Sequence, residues 1–282
     1  MRATDDAHAD PILTGKSLIK VYASNGSGMA RKAAVDGIDV SLQPGECLAI
    51  IGESGSGKTT LSRLLLGQLR PDAGQVTYQG RPVLHGSPAA KSLARDSALV
   101  FQNPFASLDP RWTIGRSVAE PLLAAKRRES GRVWYRYQKE RDLADQVAEA
   151  LSEVQLDPDR IMTAYPSDLS GGQAQRAAIA RALVVKPRIL LADEPMSAID
   201  VSARVGILHT LQSIMAQSRQ QSDSSSGMSM IIISHDLGVV QHIADRVMVL
   251  SQGKVVEEGP VRTILDHPNQ PYTRQLLAAA TL

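Results

Sequence analysis

The run Gly52-Glu53-Ser54-Gly55-Ser56-Gly57-Lys58-Thr59 has the residue types and the spacing needed to hold a chain of phosphates. Its glycines let the backbone turn tightly, so that successive N–H groups converge on phosphate oxygens. Lys58 adds a full charge for the β- and γ-phosphates, and the Thr59 hydroxyl suits Mg²⁺. Thr60 follows directly and shares the cradle. An apolar strand, Glu46 to Ile51, must feed this loop, and a helix from Thr59 to Gln68 must leave it. That strand–loop–helix context is what the pattern Gly-x4-Gly-Lys-Thr demands, and the positive end of the helix adds to anion binding. The run predicts binding of ATP with Mg²⁺.

A second group supports it. Ile189-Leu190-Leu191-Ala192 is an apolar strand that ends in Asp193 and Glu194. Asp193 at the end of a buried strand beside a phosphate loop is the expected Mg²⁺ partner, through water. Glu194, one residue on, is placed to orient or deprotonate a water for in-line attack on the γ-phosphate. A third group is Leu169-Ser170-Gly171-Gly172-Gln173, ahead of a helix over Ala174 to Val185. Ser170 is a good N-cap, and the two glycines bare backbone N–H groups, which makes a second anion site. By its residues alone this pentapeptide is equally a simply capped helix.

These groups need a scaffold, and the chain spells one out. Ser17 to Tyr22 alternates like an early strand, Asn25-Gly26-Ser27-Gly28 is a turn, and Ala34 to Leu42 is a further strand element. The helix to Gln68 closes at the turn Pro71-Asp72-Ala73-Gly74. Ala98 to Gln102 is a strand. Residues from about 103 to 168, rich in Arg, Glu, Ala and Leu, read as an inserted helical subdomain. Met230 to Ile233 is another buried strand, and the Ser-rich stretch Ser218 to Ser229 before it reads as a flexible surface loop. Met248 to Leu250 and Lys254 to Glu258 form a hairpin turning at Gln252-Gly253, and Tyr272 to Ala280 a closing helix. Residues 1–14 read as a loose tail ahead of one domain over 15–282.

The bulk composition narrows the classes. The chain has 282 residues, 43% of them hydrophobic and 4% aromatic, so the core must be aliphatic. A net charge of +2 predicts no broad attraction to nucleic acid or to a membrane surface. Cys47 is the single cysteine, which rules out an internal disulfide, and its apolar neighbours predict a buried, inert thiol. No apolar core of a signal peptide is visible near the start. No run of about 18 apolar residues occurs, so no transmembrane helix is expected.

Leu-Ser-Gly-Gly-Gln lying between a phosphate loop and an Asp-Glu strand resembles the signature of the ATP-binding-cassette family. The resemblance covers about Leu18 to Leu277. It implies an α/β fold: a P-loop NTPase core with an antiparallel β subdomain and an inserted α-helical subdomain. It implies an ATP hydrolase in which two cassettes pair head to tail, each signature loop closing on the γ-phosphate held by the other chain. Gln102 resembles the glutamine that senses Mg²⁺ and the attacking water, and His235 the switch histidine that contacts the γ-phosphate. Ser197-Ala198-Ile199-Asp200 resembles the loop at the dimer interface, with Ile199 where Leu is commoner. Ala174 stands where a basic or polar residue is frequent. Tyr22 is the candidate aromatic for stacking on adenine, against a core or edge-strand tyrosine.

Three stretches narrow the branch: Gln102 to Pro110 leading to Thr113-Ile114-Gly115, Ser197 to Ser202, and His267 to Arg274. They are similar to cassettes of bacterial oligopeptide, dipeptide and nickel importers. The implied partners are a second cassette, more often a different one than a copy, two integral membrane permease subunits and, indirectly, an extracytoplasmic solute-binding protein. The implied place is the cytoplasmic face of the cell membrane, held peripherally. No cysteine cluster lies near the C-terminus, so no iron–sulfur centre is expected. The rival readings are a cassette for another solute, such as glutathione, and a soluble cassette ATPase acting on ribosomes or DNA.

Overall fold

Short aliphatic runs that are buried on both sides build the centre of this molecule. The computed structural model describes residues 10–22, 33–130, 143–197, 199–221 and 227–280. The expected turn at Asn25–Gly28 lies outside these residues, as do 1–9 of the expected tail, 131–142 of the helical stretch and 222–226 of the Ser-rich segment. In chain order the strands are β1 (Leu13–Val21), β2 (Ala33–Leu42), β3 (Cys47–Ile51), β4 (Ala73–Tyr78), β5 (Arg81–Pro82), β6 (Ser97–Val100), β7 (Ile189–Asp193), β8 (Ser229–Ile233), β9 (Arg246–Ser251) and β10 (Lys254–Pro260). The helices are α1 (Lys58–Leu65), α2 (Pro88–Asp96), α3 (Ile114–Ser130), α4 (Ala144–Glu153), α5 (Pro158–Ile161), α6 (Gly171–Leu183), α7 (Val201–Gln221), α8 (Leu237–Ile243), α9 (Val261–Asp266) and α10 (Pro271–Ala280).

The larger sheet runs β10-β9-β3-β8-β7-β6, parallel from β6 through β9 with β10 antiparallel at the edge. Its strands send alternate side chains to opposite faces. Cys47, Ala49 and Ile51 of β3 join one core with Leu190 of β7 and Met230 and Ile232 of β8, packed on α3, α4, α6 and α7. Leu48 and Ile50 join the other core with Ile231, Ile233, Met248 and Leu250, packed on α1 and the second sheet. Burial on both faces is why these strands are continuous apolar runs rather than alternating ones. The second sheet, β2-β1-β4-β5, is antiparallel. The fold is therefore α/β, with the antiparallel sheet and α1 on one side of the larger sheet and α3, α4, α6 and α7 on the other.

Several boundaries differ from the sequence reading. β1 starts at Leu13, so Leu13 and Thr14 are not tail: Ile12 and Leu13 are buried and the Thr14 hydroxyl pairs with that of Thr77 at 2.6 Å. Ala73 and Gly74 open β4 instead of closing a turn. The Ser-rich segment is mostly not loop among its described residues. Ser218 belongs to α7, and its hydroxyl accepts the Met228 N–H at 2.5 Å. Ser229 is fully buried at the head of β8, its Oγ donating to Gln43 O and accepting from Gly45 N, both at 3.0 Å. A serine with both roles filled costs little in a core. Gln252 and Gly253 carry φ of 49° and 80°, the left-handed pair that a two-residue hairpin turn needs. Cys47 is buried, and burial pushes its thiol pKa up. Among the described residues no helix is long and apolar enough to cross a membrane.

Candidate nucleotide site

The loop that follows β3 is squeezed between two other strands, and glycine is required where they touch it. A Cβ on Gly52 (φ 147°) would sit 2.2 Å from the carbonyl oxygen of Leu250, and one on Gly57 (φ 109°) 2.2 Å from that of Ala34. The β9–β10 turn props the loop from below: Gly253 N donates to Ser56 O at 2.9 Å, and Asp36 N to Gly253 O at 2.8 Å. The loop opens directly into α1. Its N-cap, Gly57, supplies no side-chain acceptor, so the first-turn N–H groups are left to an external anion.

Lys58, the first residue of α1, is buried, and its Nζ donates to Gly52 O at 2.7 Å and Glu53 O at 2.8 Å. Burial lowers its pKa, against the opposing pull of Glu194 and Asp193. The Ser56 hydroxyl is buried with no hydrogen-bond partner. A cradle of forced glycines, an uncapped helix, a buried cation and an orphaned hydroxyl fit a triphosphate.

β7 delivers the acids. Asp193, at its last position, is half-buried, and the nearby Thr59 side chain favours its charged form. Burial first, then the negative Glu194, raise the Asp193 pKa; Lys58, Thr59 and Arg63 only partly offset this. A carboxylate held short of compensation beside a threonine hydroxyl suits a hard cation. No cluster of three or more His, Cys, Asp or Glu able to hold a metal occurs among the described residues. Mg²⁺ needs only one or two carboxylates and completes its shell with phosphate and water.

Glu194 leaves β7 with φ of 46°, in the left-handed region that a non-glycine residue occupies only under constraint. Its N–H is fixed to Ile233 O at 2.9 Å. Its carboxylate lies between two partners. Gln102 Nε2 donates to Oε2 at 3.1 Å, and His235 Nδ1 lies 3.4 Å from Oε1. Gln102 comes from just beyond β6, where Gln175 of α6 donates to Phe101 O at 3.4 Å, and His235 from just beyond β8. The ends of three parallel strands thus bring together residues distant in sequence. Such a carboxylate can hold and deprotonate a water.

The structure does not join every candidate. Ser170 caps α6 by accepting Gln173 N at 3.3 Å, while Gln173 Oε1 accepts Ser170 N at 3.0 Å. Among the described residues no hydrogen bond or ion pair links Ser170, Gly171, Gly172 or Gln173 to the run Gly52–Thr60. Gly172 is needed for packing, since a Cβ there would meet that of Ala203 at 2.8 Å. Tyr22 follows β1, an inner strand of its sheet, and is 47% exposed, so it is neither a core nor an edge-strand residue. An open groove of about 1280 Å³ on the antiparallel sheet, beside Thr14, Lys16 and Asp39, touches none of these groups.

Two further residues enter the site in roles that the sequence reading did not assign to them. Arg204 of α7 donates to Ile199 O at 3.0 Å and lies 3.8 Å from Asp236, joining the segment after Glu194 to the one holding His235. Tyr272 of α10 accepts the Glu53 N–H at 3.3 Å. The Arg204–Asp236 and Tyr272–Glu53 contacts are non-local, and neither residue type marks such a role in a sequence.

Comparison with known proteins identifies the family. Residues 35–197 match the family model described as ABC transporter, a stretch that stops short of His235. The chain is 37% identical to the oligopeptide transport ATP-binding protein OppF of Escherichia coli K12, over 88% of this chain and 70% of that one. It is 38% identical to the glutathione import ATP-binding protein GsiA of Pectobacterium atrosepticum, over 98% of this chain. It spans only 42% of that relative's length. Among solved structures, the dimeric post-hydrolysis state of an ATP-binding cassette bound to ADP and Pi superposes with a TM-score of 0.71 at 27% identity, covering 89% of this chain and 99% of that one. On its motifs, its fold and these matches, the chain belongs to the ABC transporter family.

Proposed function

We propose that this chain is the ATP-hydrolysing subunit of an importer for peptide-like solutes. The observation that carries the reading is Glu194, clasped between Gln102 and His235 one residue beyond the Asp193 that meets Thr59. The N–H groups of Gly52 to Thr60 bind the triphosphate, with Lys58 on the β- and γ-phosphates and the Tyr22 ring on adenine. Thr59, Asp193 and Gln102 hold Mg²⁺, which when bound neutralises phosphate charge. Glu194 takes a proton from the attacking water, and Gln102 keeps that water in line. His235 holds the γ-phosphate.

Ser170 to Gln173 of a second cassette complete each cage, so the active form is a pair. Ser197 to Asp200 lie at the pair's contact. The pair sits peripherally on the cytoplasmic face of the membrane, on two permease subunits supplied with solute by an extracytoplasmic binding protein. Nucleic acid is no partner. The relatives' names, which mention oligopeptides and glutathione, support a peptide-like solute over a metal ion.

The test is Glu194→Gln. It should keep Mg-ATP binding, lower kcat by about 10²–10⁴-fold, and give a pair in size-exclusion chromatography only when ATP is present. Near-normal turnover would remove Glu194 from the chemistry.

A further inference from the structure

Tyr272 sits 219 positions after Glu53, yet its Oη accepts the Glu53 N–H at 3.3 Å. That N–H and the Gly52 carbonyl belong to one peptide unit. The carbonyl is the oxygen to which Lys58 Nζ donates at 2.7 Å. One rigid plane is therefore pinned on both edges, by a phenol oxygen on its N–H and by an ammonium on its C=O. A trans peptide is planar, so holding one edge fixes the direction of the other. Gly52 has no side chain to restrict rotation of this plane, and its neighbours leave no room for one. Orientation must come from outside the loop.

The support for Tyr272 is itself anchored. Glu257 of β10 accepts the backbone N–H groups of Asn269 at 2.7 Å and Gln270 at 3.1 Å, just ahead of α10. Arg274 closes the same turn on Pro268 O at 3.2 Å and Asn269 O at 2.8 Å. Thr273 is fully buried, and Tyr272 and Leu276 pack against the main core. The tyrosine hydroxyl is thus delivered by a short helix fixed at its start and along one face.

We infer that Tyr272 is a positioning residue for the nucleotide loop. Its hydroxyl sets the Gly52–Glu53 peptide, that peptide aims Lys58, and α10 serves as a strut from β10 to the triphosphate site. Each hydrogen bond in such a chain polarises the next, which strengthens the hold on Lys58. The inference rests on the proposed reading of the loop as the ATP site.

The test uses the full chain and Tyr272→Phe, which removes one oxygen and keeps the ring. Loss of one such bond should raise the Kd for Mg-bound non-hydrolysable ATP analogue and the KM for ATP by about three- to ten-fold. kcat should stay within about two-fold, because Tyr272 touches neither Glu194, Gln102 nor His235. Amide hydrogen exchange at Glu53 should quicken. Glu257→Ala, which frees the start of α10, should move Kd in the same direction by less. Unchanged Kd and unchanged exchange at Glu53 in Tyr272→Phe would overturn the inference. So would a fall in melting temperature with Kd unmoved, the mark of a purely structural tyrosine. Failure of the wild-type chain to bind Mg-ATP would instead strike the function proposed above.

Discussion

Two helices in this molecule begin at glycine-rich loops, and they begin in opposite ways. α1 starts on Gly57, which offers no side-chain acceptor, with Lys58 buried and Ser56 unpartnered beside it. α6 starts behind Ser170, whose hydroxyl and N–H are both taken by Gln173 in a capping box. One start is open and the other has closed on itself. An open, positively charged start needs an anion to be satisfied. A capped start is content in a single chain and gains an anion only by exchanging partners. On the function proposed above, the difference implies an order of events: nucleotide loads at α1 first, and a second chain adds its α6 afterwards. The glycines of the closed start share the labour. Nothing lies within 4 Å of a Cβ on Gly171, so a partner can approach there, while Gly172 locks α6 onto α7 at Ala203.

Lys58→Ala is the harshest way to break this contrast. Removing a buried cation with two carbonyl partners should weaken Mg-ATP binding by about 100-fold, as charge-assisted hydrogen bonds of 1.5–3 kcal/mol imply. Titration calorimetry reads it, and unaltered affinity would mean the open start is not the ATP site. Ser170→Ala sharpens the other half. A lost N-cap should cost about 1 kcal/mol of stability. The single chain should still bind ATP as before, yet no longer pair when ATP is added; lost single-chain affinity would contradict the division of roles.

A gentler probe concerns the price of readiness at the open end. Asp193 has its pKa raised by burial and by Glu194. For such a group the folded state holds its proton more tightly than the unfolded state does. Its contribution is present below the ordinary carboxyl pKa of 3.8 and is lost as pH rises through the raised value. At neutral pH without nucleotide, Asp193→Asn should therefore raise Tm, by about 2 °C, while Mg-dependent hydrolysis falls. An unchanged or lowered Tm would show that the carboxylate is compensated. Smallest of all should be the effect of deleting residues 222–226, which should leave ATPase rates unaltered. Extending the cut through Ser229 should collapse expression, since that serine heads a buried strand.

Strands β3, β7 and β8 were readable because burial on both faces leaves an uninterrupted aliphatic run ended by loop residues. The phosphate loop was readable because its chemistry is local: glycine, lysine and threonine act at fixed offsets. β4 was not, since a polar edge start at Ala73-Gly74-Gln75 looks like a continuing turn. Ser229 was misjudged because serine content suggests exposure, whereas its two hydrogen bonds come from Gln43 and Gly45, far away in the chain. Glu194 could be nominated from its place after Asp193. Its left-handed backbone and its two clasps arise only when β6, β7 and β8 align. Tyr272 lies inside the stretch His267 to Arg274 that marks the branch, but its role at the loop was not legible, because that role consists of a single long-range contact.

The way Lys58 is held bears on kinetics. Its ammonium already rests on Gly52 O and Glu53 O. The loop around it is braced by β2, β9 and the β9–β10 turn. Arrival of a nucleotide is then a swap of acceptors on a braced loop. Association should accordingly run near the speed set by diffusion and charge, and the lifetime of the bound state should decide how long the chain stays primed to meet its counterpart.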